Sequence, residues 1–298
     1  MECIELIPCY NDVPDLLTKH RTVLYTLKEN RTVLYNTEKK EACMDQKINT
    51  QHLHGKNVVV IGGSKGVGRA IVGATHAQGA QVLAVARKAE PLNKLAAAFP
   101  GVRVLALDGS SERAPATVFA TLLPDILIVC AGAIPHAAPL VEQTFEQFSR
   151  NWNSDVKMAW LFFQAALNTP LPSGTTIILI SSGAALGGSP MSGGYAGSKR
   201  TQMFITNYAQ QEAERMKLGL RFIVLAPGGI MPDTDLGKAA VEAYASYRGI
   251  SIEDFIKGLG SSQTPQDVAN AVVELISNPR NKEGNAFLIS RKGLETLP

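Results

Sequence analysis

Apolar runs alternate with amphipathic stretches from residue 57 onward, and this alternation is the strongest pattern in the chain. The runs are short, uninterrupted and rich in Val, Ile and Leu, which is typical of parallel strands buried on both faces of a sheet. Strands that alternate with helices predict an α/β fold, a doubly wound parallel sheet with helices on both faces. The predicted strands lie at residues 57–61, 81–85, 102–107, 126–129, 176–180, 221–225 and 286–289, and helical periodicity is clearest at 69–78, 142–168, 195–218 and 268–277.

Residues 1–54 do not follow this alternation, and they contain a short repeat. The sequence Arg-Thr-Val-Leu-Tyr occurs at 21–25 and again at 31–35. An offset of ten residues turns a helix by about 280°, whereas an even offset keeps one face in a strand. We expect a mobile or loosely packed extension, with a small hairpin as the alternative, because two strands alone are marginal in water. The main domain is then 55–298; Met44 looks like an ordinary start, with residues 1–43 as a leader.

Composition and charge narrow the class of protein. Of the 298 residues, 45% are hydrophobic, which is enough for a large core, and the net charge is +3. So small a charge does not indicate a nucleic acid or an anionic membrane as partner. The N-terminus does not resemble a signal peptide, and no apolar run reaches the roughly 18 residues of a membrane span. The cysteines lack paired spacing, which predicts reduced thiols, no metal site and a cytoplasmic protein.

A glycine-rich turn joins the first predicted strand to the first predicted helix. It reads Gly-Gly-Ser-Lys-Gly-Val-Gly at residues 62–68. Glycines allow the backbone to approach a pyrophosphate, whose charge then lies at the positive N-terminal end of the helix. Because the turn lies inside a strand–turn–helix–strand unit, we interpret it as a nucleotide site rather than as a structural turn.

A second candidate site follows the strand at 176–180. Ser182 comes just past the C-terminal end of that strand, where open α/β sheets place their ligands. Tyr195 and Lys199 are four residues apart on the next predicted helix and therefore share a face. A phenol, with an ordinary pKa of about 10, is a poor acid or base at neutral pH, and a nearby ammonium favours its ionised form. The three residues suit proton transfer at a C–O oxygen, although a Tyr–Lys pair alone is more often a solvated helix face.

Together these motifs resemble the short-chain dehydrogenase/reductase family, over roughly residues 55–290. The resemblance implies a Rossmann fold that binds NADP(H) and transfers a hydride between nicotinamide and a small carbonyl compound or secondary alcohol. It also implies a homodimer or homotetramer, and it makes Ser182, Tyr195 and Lys199 the catalytic residues. The residues that it places at the nucleotide are Gly62, Ser64, Lys65, Gly66, Val67, Gly68, Arg87, Asp108, Ala131, Gly132, Tyr195, Lys199, Pro227, Gly228 and Ile230.

The chain departs from the family's pattern at several positions. Asp155 aligns with an Asn that, in the family, holds a water beside the catalytic lysine. An acid there stabilises the Lys199 ammonium and lessens its effect on the tyrosine, so we expect an active enzyme with an altered pH profile and count Asp155 as catalytic. Pro232 replaces a Thr that often meets the carboxamide, and Thr234 is the nearest substitute.

The end of the second strand favours NADP(H) over NAD(H). NAD enzymes of this fold carry an acid there, which accepts a hydrogen bond from the ribose 2′-hydroxyl. This chain has Ala-Val-Ala-Arg-Lys at 84–88 instead. Arg87 can bind a 2′-phosphate in a bidentate manner, and Lys65 adds a second positive charge nearby. The alternative is that both are solvated surface charges.

The substrate pocket is expected under residues 230–262, an amphipathic mobile lid that contains Tyr244, Tyr247 and Phe255. About half of these aromatic residues are expected to be core. A hydrophobic ketone, a 3-oxoacyl thioester or a ring alcohol would all suit such a pocket. Two alternative functions are a non-catalytic NADP(H) sensor on the same fold and a sugar-nucleotide epimerase. The epimerase requires a larger C-terminal domain and different glycine spacing.

Overall fold

A computed structural model describes residues 52–260, 262–278 and 284–298, together with the backbone of two N-terminal strands. The chain divides into two compact units, Met1–Thr50 and Gln51–Pro298. In the first unit, strands β1 (Thr22–Thr26) and β2 (Thr32–Asn36) pair antiparallel. The repeat therefore forms the hairpin that the even offset allowed. The looseness expected of residues 1–54 stays a prediction, because most of them lie outside the described residues.

Eight strands of the second unit form one sheet, in the order β10-β9-β8-β7-β6-β3-β4-β5. Neighbours from β5 to β9 pair in parallel, as predicted, whereas β10 runs antiparallel at one edge of this described sheet. The sequence analysis did not predict β10, which follows β9 after a tight turn. Its first residue, Gly293, has a φ of +101° and pairs with Ser290, the last residue of β9. The strands are β3 (Asn57–Ile61), β4 (Gln81–Ala86), β5 (Arg103–Ala106), β6 (Ile126–Val129), β7 (Thr176–Ile180), β8 (Arg221–Pro227), β9 (Ala286–Ser290) and β10 (Gly293–Thr296).

Helices cover both faces of this sheet. They are α1 (Gly66–Ala77), α2 (Ala89–Ala98), α3 (Ala114–Thr121), α4 (Phe145–Asn151), α5 (Lys157–Asn168), α6 (Gly194–Arg215), α7 (Asp235–Arg248), α8 (Ile252–Leu259) and α9 (Pro265–Ser277). The helix predicted over 142–168 is interrupted by a turn of π-helix, Trp152–Val156. Among the residues that the structure describes, no helix combines the length and the apolar character needed to cross a membrane.

In the described part of the chain, the sheet is packed between two large apolar clusters, one on each of its faces. Alternate residues of one strand enter opposite clusters: Val58 and Val60 contribute to one, Val59 and Ile61 to the other. Successive side chains of a strand point to opposite faces, so a strand covered on both sides must be apolar throughout. Leu53 also lies in the first cluster, at 2% exposure, so the compact second unit begins slightly before residue 55.

The strand order reverses at β3, which pairs with β4 on one side and with β6 on the other. In open α/β sheets, ligands bind in the crevice outside the C-terminal ends of the strands at such a switch point. The glycine turn follows β3, and Ser182 follows β7, two strands away in the sheet. The fold thus places both predicted sites outside the C-terminal ends of the parallel strands.

Candidate active site

The turn after β3 is tight because four of its residues have no side chain. Gly62 has a φ of +90°, and a Cβ there would lie 2.6 Å from the backbone nitrogen of Ala131. A Cβ on Gly68 would lie 2.1 Å from the carbonyl oxygen of Gly62. Gly66 begins α1, whose first turn holds no acidic residue and whose N-cap residue, Lys65, makes no side-chain cap. The positive end of α1 therefore faces the turn, as an anion site requires.

The turn after β6 lies against the glycine turn and also contacts the end of α4 and the π-helical turn that follows it. The Ala133 N–H donates to Oδ1 of Asp155 at 2.8 Å. A Cβ on Gly132 would lie 2.6 Å from Oδ2 of the same carboxylate. Because Ala131 also contacts Gly62, the structure brings together predicted nucleotide residues from two strands. The close contacts of Gly62 with Ala131 and of Gly132 with Asp155 leave room only for small residues at these positions.

The cations that were predicted to bind a 2′-phosphate have different surroundings. Arg87 is exposed at the end of β4, whereas Lys65 donates to Asp235 at the start of α7, at 3.0 Å. Asp108, expected at the adenine, accepts from the backbone N–H and the hydroxyl of Ser110 at 3.0 and 2.8 Å. These two bonds, with a smaller effect from the charge of Arg87, hold the pKa of Asp108 below its usual value.

Two serines after β7 have different roles. Ser181 is buried, and its hydroxyl donates to the carbonyl oxygen of Lys199 at 3.0 Å, which ties α6 to the sheet. The Ser182 hydroxyl accepts from the Ala184 N–H at 3.2 Å, at the start of a short 3₁₀ turn. That bond uses a lone pair of Ser182, so its proton can be donated to a further oxygen.

The Pro-Gly turn, whose residues 227 and 228 the family resemblance places at the nucleotide, begins at the last residue of β8 and lies against the Ser182 turn. A Cβ on Gly183 would lie 3.0 Å from the Cα of Gly228. Gln263 fixes the turn: its Oε1 accepts from the Gly229 N–H at 3.2 Å, and its Nε2 donates to the carbonyl of Ile289 at 2.8 Å. The sequence analysis missed Gln263, since no local pattern marks a side chain that acts so far from its own position.

Tyr195 lies in the first turn of α6, and Lys199 follows one turn later on the same face. The Lys199 ammonium lies 5.6 Å from the centre of the Tyr195 ring. Lys199 is 5% exposed, and its Nζ donates to the carbonyl of Ile180 at 3.3 Å. Gly194 permits this placement of α6, because a Cβ there would lie 1.8 Å from the carbonyl oxygen of Phe148.

Asp155 lies in the π-helical turn and is fully buried. Its Oδ2 lies 3.7 Å from Nζ of Lys199, so the acid is beside the lysine, where the alignment had placed it. Besides the Ala133 N–H, the carboxylate accepts from Ser154 at 2.6 Å and from Asn151 at 3.3 Å. A buried charge requires such partners.

Cys130 directly follows β6 and is a partly buried residue that packs against the core. Burial raises the pKa of its thiol to about 12, although the charge of Lys199 acts in the opposite direction. The thiol is thus protonated at neutral pH and unreactive.

The segment predicted as a lid forms α7 and α8. The Thr234 hydroxyl donates to the Met231 carbonyl and accepts from the Gly237 N–H, both at 2.9 Å. These bonds engage the hydroxyl in the cap of α7, so its suggested role at the carboxamide has no support in this geometry. The Tyr244 hydroxyl is hydrogen-bonded to Ser189, which joins α7 to the loop that precedes α6.

The three aromatic residues of this segment differ in burial. Phe255 is 5% exposed and belongs to a small core with Val241 and Ala245, whereas Tyr247 is 53% exposed. The Tyr244 ring stacks on Phe255 with ring centres 5.9 Å apart. One of the three is therefore core, and one connects the lid to the Ser189 loop.

Comparison with known proteins shows the family to which this fold belongs. The family model for short chain dehydrogenases matches residues 56–245. The chain belongs to the short-chain dehydrogenase/reductase family. A 2,5-dichloro-2,5-cyclohexadiene-1,4-diol dehydrogenase from Sphingobium indicum is 30% identical over 241 residues, which cover 76% of this chain and 91% of that enzyme.

Two further matches show how far the similarity extends. Human L-xylulose reductase is 33% identical over 105 residues, which cover 35% of this chain and only 43% of the reductase. A crystal structure of a short chain dehydrogenase from Burkholderia cenocepacia, in complex with NADP, superposes with a TM-score of 0.66 at 24% identity. The superposition covers 79% of this chain and 96% of that one, so the two share the fold.

Proposed function

We propose that this short-chain dehydrogenase/reductase is an NADP(H)-dependent oxidoreductase that transfers a hydride between nicotinamide and the carbon of a ketone or secondary alcohol. The observation that carries the proposal is the Tyr195–Lys199 pair at the C-terminal edge of the sheet, with the ammonium 5.6 Å from the phenol ring. Membership of the family supports the reaction class. The relatives that match are named as reductases or dehydrogenases.

The residues of the glycine turn fit a dinucleotide. A side chain at Gly62 would collide with Ala131, and one at Gly68 with the Gly62 carbonyl, so only glycine allows the tight turn that leads into the start of α1, where the pyrophosphate would bind. Arg87 is proposed to bind the 2′-phosphate, since a guanidinium matches phosphate in a bidentate manner. The NADP that the Burkholderia cenocepacia protein holds is consistent with this choice. The bound nicotinamide would supply or accept the hydride.

Three side chains would manage the proton and the charge on the substrate oxygen. Ser182, whose lone pair is engaged by Ala184, would donate its proton to that oxygen as negative charge develops. Tyr195 would give its proton to the oxygen in reduction and take one from it in oxidation. Lys199 would place its positive charge beside the phenol as the proton moves, from a position fixed by the Ile180 carbonyl and by Asp155.

The direct test is Tyr195→Phe, which removes the hydroxyl and keeps the ring. We expect turnover of NADPH with a panel of hydrophobic ketones to fall by about 10²–10⁴-fold, the usual contribution of a general acid. The affinity for NADPH, measured by fluorescence titration, should stay within about twofold, because a phenol-to-phenyl change leaves the nucleotide turn intact. Wild-type turnover in this variant would contradict the assignment. NADPH binding with no turnover by the unmutated chain would favour the sensor.

We also propose a homodimer or homotetramer, supported by an apolar surface on α4–α6. Its large exposed side chains are Phe145, Trp152, Trp160, Phe204 and Tyr208, with exposures of 82, 52, 54, 47 and 57%. Exposed aromatic patches of this kind mark protein interfaces more often than solvated surface. Sedimentation of the full chain and of Trp160→Glu tests this, and we expect the charged variant to dissociate. A monomeric wild type would contradict it.

A further inference from the structure

Two buried charges of opposite sign lie beside Tyr195. Lys199 is 5% exposed and Asp155 is fully buried, with the ammonium and the carboxylate 3.7 Å apart. Lys and Asp are almost never buried this completely unless they are paired. Because the family usually has a neutral Asn at this position, the negative charge distinguishes this chain from the family's pattern.

The carboxylate of Asp155 is held in place from several directions. Oδ1 accepts from the Ala133 N–H at 2.8 Å and from Ser154 at 2.6 Å. Asn151 donates to Oδ2 at 3.3 Å and also to the Ala133 carbonyl at 2.7 Å, which closes a ring of hydrogen bonds. Donors on both oxygens fix the orientation of the carboxylate.

The backbone carbonyl of Asp155 is also engaged by a side chain. The π-helical turn alters the regular pattern of backbone hydrogen bonds around it. Gln202, fully buried and one turn beyond Lys199 on α6, donates its Nε2 to this carbonyl at 2.9 Å. In the family, the Asn at this position holds a water beside the lysine. Here the carboxylate and the carbonyl of residue 155 both bind protein groups.

The other ionisable groups around the pair do not change its charge balance. Cys130 faces Lys199 from the end of β6, and its thiol is neutral below a pKa of about 12. Lys157, at the start of α5, pairs at the surface with Glu112 at 2.8 Å. With Tyr195 protonated, the charges of Asp155 and Lys199 cancel, so forming the phenolate leaves the buried site with a net negative charge.

We infer that Asp155 is a positioning residue that balances the charge of Lys199, holds Tyr195 in its proton-donating form to higher pH, and suits the site to carbonyl reduction at neutral pH. A lone ammonium favours the phenolate, and a carboxylate directly behind the ammonium opposes that effect. An enzyme does not alter its reaction's equilibrium, but the protonation state of its acid sets the pH range of each direction. The inference rests on the proposed function.

The test is Asp155→Asn, which removes the charge and keeps the size. We expect the pH of half-maximal alcohol oxidation to fall by on the order of one unit, and the upper pH limit of ketone reduction to fall with it. The change should appear in kcat, with KM nearly unchanged. Glu274→Gln removes an exposed negative charge on α9 and should leave both profiles at the wild-type pH. Asp155→Ser makes the same prediction if the Asn variant does not fold.

A second variant separates charge from geometry. Gln202→Met breaks the bond to the Asp155 carbonyl but keeps the carboxylate. It should lower the melting temperature and leave the pH profile in place. A shift equal to that of Asp155→Asn would overturn the inference, because the effect would then come from the displaced helix. Loss of stability in Asp155→Asn with an unmoved profile would overturn it as well.

A measurement without substrate distinguishes failure of this inference from failure of the proposed function. The ultraviolet absorbance of phenolate, taken as the difference between each protein and its Tyr195→Phe counterpart, reports ionisation of that one tyrosine. We expect the titration of the Asp155→Asn protein to lie at lower pH than that of the wild type by on the order of one unit. Coincident curves would refute the charge balance even if the enzyme reduced ketones.

Discussion

At the residue scale, the surroundings of Lys199 determine what this side chain can do. Its Nζ has an acceptor at Ile180 and a counter-charge at Asp155, and its carbonyl accepts from Ser181. The ammonium therefore cannot swing away from the Tyr195 ring without leaving a buried carboxylate unpaired, which is costly. A Tyr–Lys spacing of four residues is common on helix surfaces; burial and these three partners are what make this pair a candidate site.

Cys130 provides a residue-scale prediction about pH. Burial raises the pKa of its thiol to about 12, so the thiolate, which is the reactive form, is negligible at pH values near neutrality. We expect iodoacetamide to leave Cys130 unmodified in the native protein up to pH of about 9 and to modify it rapidly in denaturant, where an ordinary thiol pKa is about 8.5. Peptide mass spectrometry after labelling resolves this residue from the other cysteines. Labelling of native Cys130 at neutral pH would contradict the raised pKa of this thiol.

At the scale of elements, one glycine in α1 and one in α6 differ in whether their surroundings leave room for a side chain. A Cβ on Gly68 would overlap the Gly62 carbonyl, whereas a Cβ on Gly197, on the exposed face of α6, would meet nothing within 4 Å. The first glycine is required by the close approach of a helix to a turn. The second only weakens its helix.

These two glycines form a matched pair of variants. We expect Gly68→Ala to destabilise the fold by about 2 kcal/mol, as overpacking does, and to weaken NADPH binding. Gly197→Ala should stabilise α6 by up to about 1 kcal/mol, because alanine is the better helix former. Urea denaturation measures both changes. Equal effects of the two substitutions would show that the turn after β3 is not as tight as described.

At the scale of the whole molecule, groups from distant parts of the chain meet at the C-terminal ends of the strands. Lys65 in the nucleotide turn pairs with Asp235 of the lid, 170 residues later in sequence, and Asp155 reaches the turn after β6. Ligand binding there should therefore stabilise the fold as a unit. A ligand that binds only the native state stabilises it by about 2.7 kcal/mol at a concentration of 100 times its Kd.

Arg87→Gln tests whether the proposed nucleotide site binds NADPH in preference to NADH. We expect the variant to lose most of the rise in melting temperature that NADPH causes, since its affinity should fall about tenfold or more without the bidentate phosphate contact. The smaller rise with NADH should be unchanged, because NADH has no 2′-phosphate. Thermal unfolding with a series of nucleotide concentrations gives both values. An equal loss for the two nucleotides would assign Arg87 a structural role instead.

Much of this architecture was readable in the sequence, because it depends on local periodicity. Buried parallel strands are continuous apolar runs, so β3, β6 and β7 were predicted with the bounds that the structure has. The glycine turn was recognisable because its strand and its helix are adjacent in the chain. The family followed from the order of these motifs.

Tertiary structure alone decided the contacts that join distant segments. Four of these contacts leave no local signature in the sequence. They are the antiparallel pairing of β10, the hydrogen bond of Gln263 to the Pro-Gly turn, the hydrogen bond from Gln202 to the Asp155 carbonyl, and the ion pair of Lys65 with Asp235. A side chain's partner across the fold depends on how helices and strands pack, and hydrophobic periodicity identifies the buried face of an element without identifying what it meets.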